Sequence, residues 1–354
     1  MPESRPFFVL APMDDVTDTV FRQMVASTAP PDLFFTEFTN VDGLQSAGRP
    51  KLLRKLRFVP EETALVAHIW GLKPENFYKT AREIADGTLA RELGLPAGCN
   101  FVGIDLNMGC PAKSEVKAGA CSALINDRPL AAEIIKATQE GARVRRGRTL
   151  TQLPVSVKTR LGFSEVDMSW PEFLLGFELA MLTMHCRTRK DMSKVPARWE
   201  YLTELVQLRD KIAPGTKIVA NGDIENRRQG LELAEQYNLD GIMIGRGIFH
   251  DPFAFLEDGP IARSARRSSL RARDEDIQSI EWGKYGKKER IELYRKHVEL
   301  FAGTWRAGER NIKTLNKFCK VYISDFDGAK ELREQLMAAM STAELIKILT
   351  AAAA

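Results

Sequence analysis

The chemistry this sequence could perform starts at Cys110, in the run Asn107-Met108-Gly109-Cys110-Pro111. Gly109 permits a tight backbone and Pro111 stiffens the exit. A thiol titrates at about 8.5 when unperturbed, so at neutral pH it carries a proton and can serve as a general acid. The ordinary fate of a free cysteine is inert burial, and Cys99, Cys186 and Cys319 suit that reading. Cys121 lies on the same long loop as Cys110 and reads as a packing residue. Other reactive types recur in short polar runs: Lys158-Thr159-Arg160, His185-Cys186-Arg187-Thr188, Asn221-Gly222-Asp223 and Gly245-Arg246-Gly247. Taken alone, Lys158 reads equally well as a cation for an anionic ligand or as a surface ion pair.

These runs follow apolar stretches that must position them. The candidate strands are 7–11, 33–37, 64–70, 101–106, 154–158, 180–185, 217–220 and 241–245. Each is short and nearly continuous in apolar character, as in a parallel sheet buried on both faces. Amphipathic helical patterns lie between them, including the stretch after Asp18, the segment from Pro74 and that from Arg128. Strand and helix alternating about eight times over roughly 250 residues predicts a (β/α)8 TIM barrel, in which every polar run falls on the carboxyl rim. His68 ends the third strand and Pro12, Met13 and Asp14 end the first. Turn chemistry alone accounts for Asn221-Gly222-Asp223, but not for Lys158, His185 and Arg187 at the same edge.

Composition bounds the rest. Apolar residues make up 44% of the 354 and charged residues 28%, enough for a real core. The net charge of +4 is too small to argue for nucleic acid by itself. Five cysteines without CxxC spacing argue against a disulfide framework or a thiolate zinc site and for a reducing, cytoplasmic setting. The expected organisation is a barrel over 1–257, a basic linker over 258–286 with arginines at 263, 266, 267, 271 and 273, and a small C-terminal helical domain over 287–354.

Loops after the last two barrel strands are the usual phosphate seat of such enzymes. Here they are Asn221-Gly222-Asp223 and Gly245-Arg246. No GxGxxG turn is present, which favours FMN over FAD or a tightly held dinucleotide. A lysine ending strand five could then stabilise an anionic reduced flavin.

The ordered set APMDDVTD, NMGCPAK, KTRLGF, HCRTR, ANGD and GIMIGRG resembles the tRNA-dihydrouridine synthase family from about residue 7 to 256, and the helical tail resembles that family's RNA-binding domain. The resemblance implies FMN on the rim, contacted by Pro12, Met13, Asp14, His68, Lys158, His185, Asn221, Gly222, Asp223, Gly245 and Arg246. It implies that Cys110 donates a proton, that Asn107 and Arg187 help hold the uracil, and that NADPH is the external reductant. Two positions depart from the family pattern: His68 stands where Gln is usual and Cys186 where Gly is usual. Histidine cannot supply both the donor and the acceptor of an amide.

The implied reaction reduces the C5=C6 bond of a uridine, which must leave its stack to enter the barrel mouth. The rest of the tRNA then needs a basic surface. A helix over 311–323 would place Lys313, Lys317 and Lys320 on one face, with Arg306, Arg310 and the arginine linker completing a phosphate track. Without the resemblance, three such lysines read as a solvated face. The expected partners are tRNA and NADPH, with no metal and no membrane, and the chain is read as a monomer. Two other readings remain open: an FMN barrel reducing a small free metabolite, and an RNA-binding relative that has lost catalysis, to which His68 points.

Overall fold

The computed structural model describes residues 2, 6–146, 149–256, 282–306 and 308–353. Eight parallel strands form a nearly closed barrel: β1 (Phe7–Leu10), β2 (Phe34–Phe35), β3 (Leu65–Trp70), β4 (Gly103–Met108), β5 (Val155–Arg160), β6 (Met181–His185), β7 (Lys217–Asn221) and β8 (Gly241–Ile244). They pair in chain order from β2 to β8, and β8 returns to β1. Leu33, just before β2, bridges to Val9 and bonds the Phe8 and Leu10 backbone at 3.1 Å, closing the ring. All eight expected strands form, with no end displaced by more than two residues. A two-residue strand, Thr39–Asn40, adds to β3 beyond the end of β2.

Local chemistry sets the intervening helices. Pro74 begins the helix Pro74–Ala85, where a missing N–H costs nothing. Asp127 caps Arg128–Gly141 by accepting the Leu130 N–H at 3.2 Å, and Asn226 caps Arg227–Tyr237 through Gln229 at 3.0 Å. The antiparallel hairpin Arg143–Arg146 with Thr149–Gln152 is not foreshadowed by the sequence pattern.

The barrel interior is filled by Phe7, Val9, Leu33, Phe35, Val66, Met181, Val219 and Met243, none more than 2% exposed. Side chains alternate along a strand, so each inward residue marks the next but one as inward too. Val66 therefore marks His68, Met181 marks Thr183 and His185, Val219 marks Asn221, and Met243 marks Gly245. The register carries this level across the remaining strands: His68 lies beside Asp105, Asn107 beside Lys158, and Lys158 beside Thr183. Toward the carboxyl ends the interior thus changes from hydrocarbon to polar groups.

The chain divides into two compact units, Met1–Asp18 with Pro31–Gly245, and Thr19–Pro30 with Arg246–Ala354. The first holds the whole barrel. The second takes in the helix Thr19–Thr28 and the chain from Arg246 onward. Its helices are Lys287–Thr304, Asn316–Tyr322, Ala329–Ala338 and Thr342–Ala353. Phe21 stacks on Phe318 at 4.8 Å within its core, and the Tyr294 hydroxyl donates to the Leu315 carbonyl at 3.0 Å. The five linker arginines expected to bind phosphate lie outside the described residues. No described helix is long and apolar enough to cross a membrane.

Candidate active site

The loop after β4 is built around its own asparagine. The Asn107 carboxamide oxygen accepts the backbone N–H of Gly109 at 3.2 Å and of Cys110 at 2.9 Å, which folds the chain back and fixes Cys110. A Cβ at Gly109 would lie 3.2 Å from the Thr159 Cα, a tight approach to β5 that favours glycine there. The Gly109 carbonyl accepts the Arg160 guanidinium at 2.7 Å. That same guanidinium donates to the carbonyls of Thr188 and Met192 at 3.0 Å. Arg160 therefore ties the cysteine loop to the loop after β6. In the sequence Arg160 stands out only as part of a motif; the signal it offers is a charge ending a buried strand.

Cys110 is half-buried. The Cys121 thiol is the largest influence lowering its pKa, and the Ala112 backbone N–H adds a second, smaller one. Together they outweigh burial and bring Cys110 down to about 7, while Cys121 is pushed far up. Cys121 is buried, as its packing role leads one to expect. Cys186 is fully buried, and burial pushes it up to about 12, which suits the inert role expected of it.

Below the rim lies a buried polar chain. The Ser156 hydroxyl donates to Asp105 at 2.5 Å, and the other Asp105 oxygen meets His68 Nδ1 at 2.7 Å. Burial lowers the His68 pKa more than Asp105 raises it, so the ring is neutral and donates from Nδ1. Its Nε2 is then a lone pair, buried and without a hydrogen-bond partner. The Asn107 amide nitrogen is buried and unpartnered as well. Lys158 lies beside Asn107 in the β4–β5 register, and its ammonium forms no hydrogen bond or ion pair among the described residues. Burial, then Arg160, lowers its pKa to about 8.

On the opposite wall, the Asn221 amide donates to the Met243 carbonyl at 2.9 Å. Gly222 (φ +116°) packs where a Cβ would meet His185 Cδ2 at 3.0 Å, and Asp223 follows at φ +54°. Arg187 is only 2% exposed and fully engaged. It donates to the Val195 carbonyl at 2.6 Å, meets His185 Nε2 at 3.2 Å and pairs with Asp223, whose carboxylate also accepts the Ala197 N–H at 2.9 Å. Arg187 and Asp223 thus hold the loop after β6 and have their polar groups committed to it. Pro12 is buried, Met13 is anchored by Thr17 at 2.9 Å, and Asp14 is exposed and pairs with Lys55. Gly245 ends the barrel unit; Arg246 begins the second one and is exposed.

The lysines of the second unit divide. The stretch expected as one helix is a 3-10 turn, Ile312–Leu315, followed by Asn316–Tyr322, because Asn311 caps the turn through the Lys313 N–H at 2.9 Å. Lys313 donates its ammonium to the carbonyls of Met337 and Ala339, at 2.7 and 3.2 Å, capping the end of Ala329–Ala338. Lys317 and Lys320 are exposed. Arg310, expected on the phosphate track, is buried with its guanidinium 5.6 Å from the Trp305 ring centroid.

Fold and site define a (β/α)8-barrel enzyme whose carboxyl end carries a half-buried thiol and unpartnered polar groups. The dihydrouridine synthase family profile matches residues 9–354. A probable tRNA-dihydrouridine synthase of Staphylococcus aureus (strain COL) is 44% identical over 343 residues, 96% of this chain and 91% of that one. A probable tRNA-dihydrouridine synthase 2 of Bacillus subtilis (strain 168) is 43% identical over 348 residues, 98% of this chain and 93% of that one. Among solved structures, histamine dehydrogenase from Rhizobium sp. 4-9 aligns with a TM-score of 0.46 at 12% identity, over 70% of this chain and 44% of that one, too slight a likeness to bear on function. The chain belongs to the dihydrouridine synthase family, which is a family of oxidoreductases.

Proposed function

We propose that this protein reduces uridine in tRNA to 5,6-dihydrouridine, with FMN as its resident cofactor, NADPH as reductant and Cys110 as proton donor. The observation that carries the reading is the set of polar groups left over at the carboxyl end of the barrel: His68 Nε2, the Asn107 amide and the Lys158 ammonium, beside the Cys110 loop. Buried polar groups without partners are costly, and a ligand rich in ring nitrogens and carbonyls relieves that cost.

The residues present fit FMN. Lys158 would hold the side of the ring where negative charge gathers on reduction, and the His68 lone pair suits a ring N–H. The backbone N–H groups of the left-handed Gly222–Asp223 turn, with that of Gly245, suit the phosphate. His185, packed against Gly222, and the Pro12–Asp14 turn are the remaining candidate contacts. FMN held by these residues would supply the hydride for reduction of the uracil C5=C6 bond. Cys110 gives its thiol proton to C5, and Asn107, its oxygen already spent on the loop, donates from its nitrogen to a uracil carbonyl. Arg187 supports the base indirectly by fixing the loop after β6. Lys317 and Lys320 are the described candidates for contact with tRNA phosphates.

The test is purification followed by an absorption spectrum and identification of the released cofactor, then assay on tRNA and on free uridine. A flavin band, released FMN and product on tRNA alone are expected. A colourless protein, or equal turnover of free uridine, would overturn the reading.

A further inference from the structure

We infer that Cys110 and Cys121 form an oxidisable dithiol, a modification site at which hydrogen peroxide or a similar small peroxide installs a disulfide. The Cys110 carbonyl accepts both the backbone N–H and the hydroxyl of Ser122, at 3.3 and 2.8 Å, so the turn carrying Cys121 is fastened to Cys110 itself. Each thiol is the largest influence on how the other titrates. Cys121 holds φ +56°, a left-handed conformation that residues other than glycine seldom adopt, and Gly119 at φ +91° starts the same turn. Such strain persists only where the surrounding structure enforces it. Access divides the roles: Cys110 is half-buried, whereas Cys121 is 1% exposed. A thiol titrating near neutrality is also the one a peroxide finds first.

The chemistry balances with the peroxide as the only oxidant. The Cys110 thiolate attacks one peroxide oxygen; the S–O bond forms, the O–O bond breaks, and the departing hydroxide takes a proton to become water. The Cys121 sulfur then attacks the Cys110 sulfenic acid. The S–S bond forms, the S–O bond breaks, and the hydroxyl leaves as a second water carrying the Cys121 proton. Two thiols lose two electrons in all, and a dithiol reductant reverses the change. The disulfide leaves Cys110 without a proton to give. That consequence rests on Cys110 being the acid; formation of the disulfide does not.

The experiment treats the purified holoprotein with hydrogen peroxide and reads intact mass and a non-reducing tryptic map. Lys113 and Lys117 lie between the two cysteines, so trypsin separates their peptides unless a disulfide joins them. The expected result is a loss of about 2 Da, for two hydrogens, with the peptides of Cys110 and Cys121 joined and both changes reversed by dithiothreitol. In Cys121→Ser, Cys110 should instead gain oxygen and advance to the sulfinic acid, which dithiothreitol does not reverse. Should that variant fail to fold, the parent's map decides alone. Sulfinic acid at Cys110 with Cys121 still free in the parent, or no reaction at either thiol, overturns the proposal. None of these readouts depends on tRNA reduction.

Discussion

The role proposed for Cys110 requires it to hold a proton, and its neighbours make that proton easy to lose. The Cys121 thiol and the Ala112 N–H bring its pKa to about 7. The donor form therefore dominates below that pH and is lost above it. Single-turnover reduction of tRNA by pre-reduced enzyme should decline as pH rises through about 7, whereas a flat profile across that range would assign the proton to another group. Lys158 is the second test at this scale. If Lys158 faces the flavin as proposed, Lys158→Ala should lower both FMN retention and the flavin's reduction potential, as read by cofactor content and redox titration. Unchanged values would place Lys158 outside the cofactor site. Residue types at the rim are legible in the sequence; their partners are not. Arg187 and Asp223 both look available for ligands, yet they bond each other, because the two loops that carry them meet only in the folded barrel. The Asp105–His68 pairing is equally hidden, being made across strands 37 residues apart in the chain.

At the scale of elements, buried parallel strands are continuous apolar runs, and all eight can be read directly. The Arg143–Gln152 hairpin cannot, since its charged surface residues carry no apolar period. The 311–323 stretch is legible as helical, but not its break. A side-chain cap at Asn311 and a lysine reaching residues 24 and 26 positions away leave no mark on periodicity. Lys313 should thus separate from the other two lysines. Lys313→Ala removes a charge from a helix carboxyl end and should lower stability by roughly 0.3–1 kcal/mol, measured by denaturant unfolding, with little effect on the salt dependence of tRNA binding. Lys317→Ala with Lys320→Ala should do the reverse. Each lysine withdrawn from a phosphate flattens the log–log slope by about 0.9 for duplex or about 0.7 for single strands. Parallel binding lines for parent and double variant would show that these lysines face solvent only.

The whole chain joins a barrel that holds the chemistry to a helical unit whose exposed lysines suit a polyanion. That division follows the substrate: a base must leave its stack to be reduced, and the rest of a large anion must be held while it does. The most direct measurement is nucleoside mass analysis of tRNA lacking dihydrouridine, after incubation with NADPH and the flavin-replete protein, for the parent and for Cys110→Ala. The parent should convert particular uridines to a product heavier by two hydrogens. Cys110→Ala should still accept electrons from NADPH but form that product roughly 10²-fold more slowly. No dihydrouridine from the flavin-replete parent, or an equal rate from Cys110→Ala, would contradict the assignment of the reaction or of its acid.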